Sequence, residues 1–311
     1  RRMKKEEIQA LFKSYEDEFL ESLQRQEDEF KRNSERAGTI TVMVKEIEDK
    51  ISPLMWKVFY IIVSNGFSKE AEIKDYVVRF LIEKEMQCYS KDSIYRAIKN
   101  LIAINAFKTI RISTGIRTFN ILELTDVGRM LFMKRFLKDP PESEMEKILS
   151  AHSSYAHGYM VEEVKNILEN RGGFELVSTD RKANRIKLKD DESCIPDVIT
   201  KDRWGYTFYE VECGTHNYDD FYRKCNKLIQ VTRTLMFIGP GRNVVEKKLL
   251  PKITGWVKNV KPEFLRANNI SIKVASMHDF KQGKWTYSYD MKRGLPVCNI
   301  KNSKKKENAN G

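Results

Sequence analysis

Three acids in the C-terminal half have the types and spacing for phosphate chemistry: Asp197 after Pro196, then Glu210 and Glu212 separated by Val211. Residues 206–213 read as a strand, and strand side chains alternate. Glu210 and Glu212 therefore face one way, while Tyr209, Val211 and Cys213 face the other. Two like charges crowded at the end of an apolar strand are costly unless a cation answers them. Asp197, on a neighbouring strand read over 196–200, adds a third oxygen ligand, and an all-oxygen set suits Mg²⁺ or Mn²⁺. The plainer alternative is an acidic strand edge facing water.

The elements that must position these acids can be read around them. Residues 154–170 carry Met160, Val161, Val164, Ile167 and Leu168 at helical spacing and stop at Arg171-Gly172-Gly173. Strands are expected over 174–179, 196–200 and 206–213, then a helix over 218–232 and a strand over 234–239. A helix within 243–260 and a strand over 271–276 complete the order αβββαβαβ, which predicts a mixed sheet flanked by helices.

Pro196-Asp197 followed by Glu210-Val211-Glu212, in this order of elements, resembles the PD-(D/E)xK, or restriction-endonuclease-like, superfamily over about residues 150–280. The resemblance implies that Asp197 and Glu210 bind a metal that activates water for phosphodiester hydrolysis, with Val211 lending its backbone carbonyl. A lysine usually closes the motif in that family; here the position is Glu212. Some restriction enzymes of the family keep a Glu there, and other branches carry the lysine on the following helix.

On that helix the apolar stripe is Tyr218, Phe221, Tyr222, Cys225, Leu228 and Ile229. Lys224 flanks the stripe and Lys227 lies opposite it, so Lys224 is the better placed of two candidates that the sequence leaves open. The family's first helix often contributes an acid; a helical wheel puts Glu163 at the flank of the buried stripe and Glu162 on the solvent side, so Glu163 is the choice. His157 falls on the apolar face of the same helix and reads first as a core histidine. His216, after Gly214-Thr215, serves equally well to hold a phosphate, to orient a carboxylate or to cap the next helix. The segment Tyr209 to His216, with Lys224 beyond it, is also similar to the replication-relaxation proteins of mobile elements, which join a winged helix to a nuclease-like domain.

The N-terminal half carries that companion. Ser52-Pro53 caps a run ending at Gly66, residues 69–86 repeat at helical spacing, and Ser90 caps residues 91–106. Residues 107–112 alternate, Ser113-Thr114-Gly115 turns, residues 117–124 alternate again, and Thr125-Asp126 caps a last helix. The succession resembles a winged helix-turn-helix domain over 51–138, in which the third helix enters the major groove of DNA and the wing lies beside it. Lys91, Arg96 and Lys99 lie on that helix and Lys108, Arg111 and Arg117 on the wing, six basic residues against the single acid Asp92. A winged helix with an ordinary basic face also serves as a protein-contact module.

Residues 1–50 read as an amphipathic helical extension, with Ile8, Leu11, Phe12, Tyr15, Phe19, Leu23 and Phe30 on one side of a helix over 4–36. Packing on its own domain, on another copy or on a partner protein are its possible uses. Residues 139–150, with Pro140-Pro141, read as a linker, 151–285 as the nuclease-like domain and 286–311 as a basic tail. The fold class expected is thus a two-domain α+β and α/β chain.

The chain has 311 residues, enough for about two domains at roughly 150 each, and a net charge of +12 that favours a polyanionic partner such as double-stranded DNA. Lys301 and Lys304-Lys305-Lys306 would add salt-dependent affinity of the kind phosphate contacts give. No stretch has the roughly 20 apolar residues of a membrane span, and five cysteines without CxxC spacing point to a reducing cytoplasm and against a zinc knuckle. A chain opening Arg1-Arg2 leaves room for an upstream portion. No GxxxxGK, GxGxxG, HExxH or GxSxG pattern occurs, which removes support for nucleotide hydrolysis, dinucleotide redox, zincin and serine-hydrolase chemistry. Three expectations remain: a Mg²⁺-dependent deoxyribonuclease (endonuclease or nickase) of a mobile element, a non-catalytic DNA-binding replication or conjugation factor on an inactivated nuclease fold, and a protein scaffold.

Overall fold

The computed structural model describes residues 38, 40, 42, 44–84, 89–152, 154–188 and 192–300. The helix expected over 4–36, and the lysines at 301 and 304–306, lie outside the described residues. The described residues form two compact units: those within 38–68, 72–109 and 122–141 make the first, and those within 69–71, 110–121 and 142–300 the second.

The first unit is mainly helical. Gly38, Ile40, Val42 and residues 44–48 are helical, beyond the end of the helix expected over 4–36, because Ile40, Val44 and Ile47 recur at helical spacing and pack on the core. Helix α1 (Pro53–Ser64) begins where expected: the Ser52 hydroxyl accepts from the Met55 N–H, and Pro53 sits where no intrahelical donor is needed. Helix α2 (Glu70–Arg79) runs into a π-helical turn (Phe80–Lys84). Ser90 caps α3 (Lys91–Ala103), which buries Ile94, Ala97, Ile98 and Leu101. After the hairpin of β1 (Phe107–Ser113) and β2 (Thr118–Leu124), of which residues 110–121 belong to the second unit, Thr125 caps α4 (Asp126–Phe136). Gly128 is required here, since a Cβ would stand 2.2 Å from the Ala106 carbonyl oxygen. The interior is rich in aromatic pairs, Phe59 meeting Phe107 and Phe132 edge-on, and each such buried side chain contributes roughly 1.5–3 kcal/mol.

The second unit is built on a seven-stranded sheet in the order β11-β10-β9-β8-β7-β6-β3. Strands β3 (Leu176–Ser178), β6 (Val198–Asp202) and β7 (Gly205–Val211) form an antiparallel meander; β8 (Thr234–Gly239) and β9 (Ser271–Ser276) continue it in parallel. The antiparallel β10 (Tyr287–Asp290) and β11 (Leu295–Cys298) close the edge. Alternation sends Leu235, Phe237, Ile272 and Val274 to one face and Ile238 and Ala275 to the other. The first face is covered by α7 (Tyr218–Leu228) and α8 (Leu250–Val260), with Phe221, Ile253 and Trp256 fully buried. The opposite face is covered by α6 (Tyr155–Arg171) through Met160, Val161, Val164 and Leu168, and by the short α10 (Met277–Lys281). Between α8 and β9 lies α9 (Pro262–Ala267).

Three boundaries differ from the sequence reading. The segment expected as a linker over 139–150 contains α5 (Glu144–Ala151), because Ser143 and Glu146 cap it reciprocally. A small hairpin of β4 (Ile186–Lys187) and β5 (Ser193–Cys194) lies between the strands expected over 174–179 and 196–200. Residues 286–300, assigned to a basic tail, carry β10 and β11 instead. Thr286 anchors them: its hydroxyl donates to Asp279 Oδ2 at 2.7 Å and accepts from the Ser276 N–H at 3.1 Å. Among the described residues no helix is long and apolar enough to cross a membrane.

Candidate functional site

The carboxyl end of β7 and the chain just before β6 bring the three acids together. Val198 pairs with Tyr209, so Asp197 lies beside the Glu210–Glu212 segment, and the Val211 N–H donates to Asp197 Oδ2 at 2.9 Å. Glu210 and Glu212 share the face that α7 covers, as strand alternation requires, and are 2% and 1% exposed. The carboxyl ends of parallel strands are where ligands of α/β sheets commonly bind.

Lys224 of α7 enters this acidic site. Its Nζ lies 2.6 Å from Glu210 Oε2, 2.7 Å from Glu212 Oε1 and 3.9 Å from Asp197 Oδ2. Lys227 is placed elsewhere, 3.4 Å from Glu192, at the rim of a cleft of about 260 Å³ whose walls include Cys194, Glu210, Arg223 and Lys224. Of the two lysines the sequence left open, Lys224 is the one that meets the acids.

Charge sorts the carboxyls. Burial, reinforced by Asp197 and Glu212 and only partly offset by Lys224, pushes Glu210 up to about 8. Burial also disfavours the charged forms of Glu212 and Asp197, but there it loses. Lys224 and the His216 hydrogen bond hold Glu212 down to about 2, and Lys224, His157 and the Val211 N–H hold Asp197 below the ordinary carboxylate range. Lys224 stays charged: burial opposes this, yet Glu210, Glu212 and Asp197 raise it well above the usual lysine value. One ammonium answers three acids, and Glu210 Oε1 is buried with no hydrogen-bond partner among the described residues. That orphaned oxygen and the carboxylate-rich donor set fit a hard divalent cation, which Asp197, Glu210 and the Val211 carbonyl would hold.

His216 takes one of its three expected uses, orienting a carboxylate: its Nδ1 stands 3.0 Å from Glu212 Oε2. That hydrogen bond raises the imidazole's pKa against burial. Lys252 of α8, which sequence reading did not single out, donates to the carbonyls of Gly214 and His216 and so pins the loop bearing them. Glu163 is buried as the helical wheel required, but its partner is Arg117, whose Nε and Nη2 lie 2.8 and 2.7 Å from Glu163 Oε2. This pair joins a residue expected to touch DNA to one expected as the first helix's contribution to the catalytic acids.

His157 is drawn into the site rather than left in the core. Its Nε2 is 3.3 Å from Asp197 Oδ2 and 3.1 Å from the Val211 carbonyl oxygen. His152, at the C-terminal end of α5, packs edge-on against it with ring centroids 5.2 Å apart. Burial and the neighbouring His157 lower the His152 imidazole to about 4. No spacing rule signals His152, because what joins it to the site is contact between elements.

Lys91, Arg96 and Lys99 project from α3 into solvent, and Lys108 and Arg111 are exposed on β1. Lys108 stands 3.8 Å from Glu123. Comparison of the chain with protein-family models, with curated proteins and with solved structures finds no match.

Proposed function

We propose that this chain is a DNA-binding protein whose sheet-bearing unit carries out metal-dependent phosphodiester hydrolysis, as an endonuclease or nickase of the PD-(D/E)xK kind. The observation that carries the reading is the convergence of Asp197, Glu210, Glu212 and Lys224 at one strand end beside an open cleft. Asp197, Glu210 and the Val211 carbonyl would hold Mg²⁺ or Mn²⁺, which when bound lowers the pKa of a coordinated water to make the nucleophile. Lys224, charged and rooted on Glu212, would turn its ammonium to the non-bridging oxygens of the scissile phosphate and offset charge that develops there. Glu212 would orient that ammonium, with His216 fixing its other oxygen.

The succession α1, α2, α3, hairpin and α4 supports reading residues 51–138 as a winged helix that delivers duplex, with α3 as the recognition helix. The charge of +12 and the exposed basic residues of α3 and β1 favour DNA over a protein partner. A mobile-element setting and a cytoplasmic location belong to the same reading.

One observation favours the second reading, a DNA-binding factor on a retired nuclease fold: the Lys224 ammonium already stands at contact distance from Glu210 and Glu212, supplying part of the positive charge that a metal would bring. Cleavage of supercoiled plasmid and labelled duplex in Mg²⁺ or Mn²⁺ separates the two. Wild type that cuts, with Asp197→Ala and Glu210→Ala variants that bind but do not cut, supports hydrolysis. Equal binding by all three without cleavage supports the second reading.

A further inference from the structure

We propose that His152, His157 and Asp197 form a second cation site, for a first-row transition metal such as Zn²⁺, Fe²⁺ or Co²⁺ rather than Mg²⁺. One donor atom from each of the three lies within 4.8 Å of the others, close enough for small side-chain rotations to bring them onto a single ion. Three elements supply them: the end of α5, the first turn of α6 and the residue before β6.

The donors are held in place, and each imidazole keeps one nitrogen without a hydrogen-bond partner among the described residues. His152 is over nine-tenths buried, its backbone N–H donates to the Ile148 carbonyl, and its ring lies against Gly158 and His157 of α6. The α6 cap at Ser154 sets the turn that carries His157, whose N–H donates to the Ser154 hydroxyl. Val211 anchors Asp197. The Nδ1 atoms of both imidazoles are buried with no hydrogen-bond partner among the described residues, an arrangement that costs free energy unless something occupies them.

The chemistry of the donors chooses the metal. Imidazole suits Zn²⁺, Fe²⁺, Co²⁺ and Ni²⁺, whereas Mg²⁺ takes oxygen ligands and keeps its waters. Two imidazoles and a carboxylate also leave coordination positions that no protein ligand fills, the pattern of a metal that does chemistry rather than one that only staples a fold. Asp197 is common to this set and to the carboxylate set with Glu210, meeting His157 from α6 and Lys224 from α7. The site is thus placed to share a bridging carboxylate with the hard-cation position. The inference stands on metal binding alone, so absence of cleavage leaves it intact.

The test is titration of the full chain with Co²⁺, read by its visible ligand-field absorption and by calorimetry. His152→Gln, His157→Gln and Glu210→Gln are run beside wild type, with circular dichroism to confirm that each is folded. The expected result is Co²⁺ binding that weakens at least about tenfold in each histidine variant and persists in Glu210→Gln. Wild-type affinity in both histidine variants would overturn the proposal, as would loss of binding in Glu210→Gln alone. Should a histidine variant unfold, X-ray absorption on zinc-loaded wild type decides: two imidazoles in the coordination shell support the site, and none overturns it.

Discussion

Arg117 holds the Glu163 carboxylate with two guanidinium nitrogens, Nε at 2.8 Å and Nη2 at 2.7 Å from the same oxygen. Glu163 is largely buried on α6, and the Arg117 guanidinium is the hydrogen-bond partner that meets its carboxyl there. Replacing Arg117 with Ala is expected to cost about 1–2 kcal/mol of stability, read by chemical denaturation, and Glu163→Gln in that background should restore part of it. An unchanged midpoint in Arg117→Ala would mean that the pair contributes nothing.

Lys99 and Arg111 behave differently. Both are exposed, and no ion pair engages either among the described residues, so they are expected to contribute to DNA binding rather than to stability. Changing each to Ala should weaken duplex binding across unrelated sequences and lower the slope of log affinity against log salt by about 1. Fluorescence anisotropy over a salt series checks this; an unaltered slope would remove the basic face from the DNA contact.

Lys224→Met leaves Asp197, Glu210 and Glu212 buried without their cation. The metal-free variant is expected to lose about 3–5 kcal/mol. Mg²⁺ or Mn²⁺ should then stabilise the variant by more than it stabilises wild type, because the acids gain from the ion what the ammonium formerly supplied. Thermal melts with and without the ion give the answer, and equal shifts in both proteins would count against a cation at these carboxylates.

Glu210 sets a pH dependence with a definite sign. Its carboxyl is raised to about 8 in the folded protein, so the native state holds a proton that the unfolded chain has released near the ordinary value of 4.5. The stability linked to that proton is full below 4.5 and is lost as the pH rises through about 8. Glu210→Gln, neutral at every pH, should therefore gain on metal-free wild type between pH 5 and pH 8. Glu212, lowered to about 2, runs the other way, its contribution falling away as the pH drops from 4.5 towards 2. A stability difference between Glu210→Gln and wild type that does not change over pH 5–8 would show that Glu210 is not perturbed.

The parts legible in the sequence were those set by local pattern. Ser52, Ser90 and Thr125 cap helices because a short hydroxyl followed by an apolar run is a local signal. Strands 234–239 and 271–276 fall where apolar runs lie between turn residues. That Glu210 and Glu212 share a face follows from period two alone. What escaped is set by partners far along the chain. A helical wheel puts His157 on the apolar side but cannot know that Asp197 waits there, forty residues on. It puts Glu163 at the flank of the stripe but cannot supply Arg117. Strands β10 and β11 were hidden by Lys292, Arg293 and Gly294 between them and by Pro296 within the second, residues that read as tail and in fact form a turn and an outermost strand.

The β10–β11 hairpin has a consequence for anyone who shortens the chain. It pairs with Lys273 and Val274 of β9 and takes up the flank of a strand that is apolar on both faces. A protein ended at residue 285 would keep both sets of carboxylate and imidazole donors but leave β9 with unpaired N–H and C=O groups along one side. An open flank of that kind is a template on which a second chain can add a strand, and the shortened protein would be prone to aggregate.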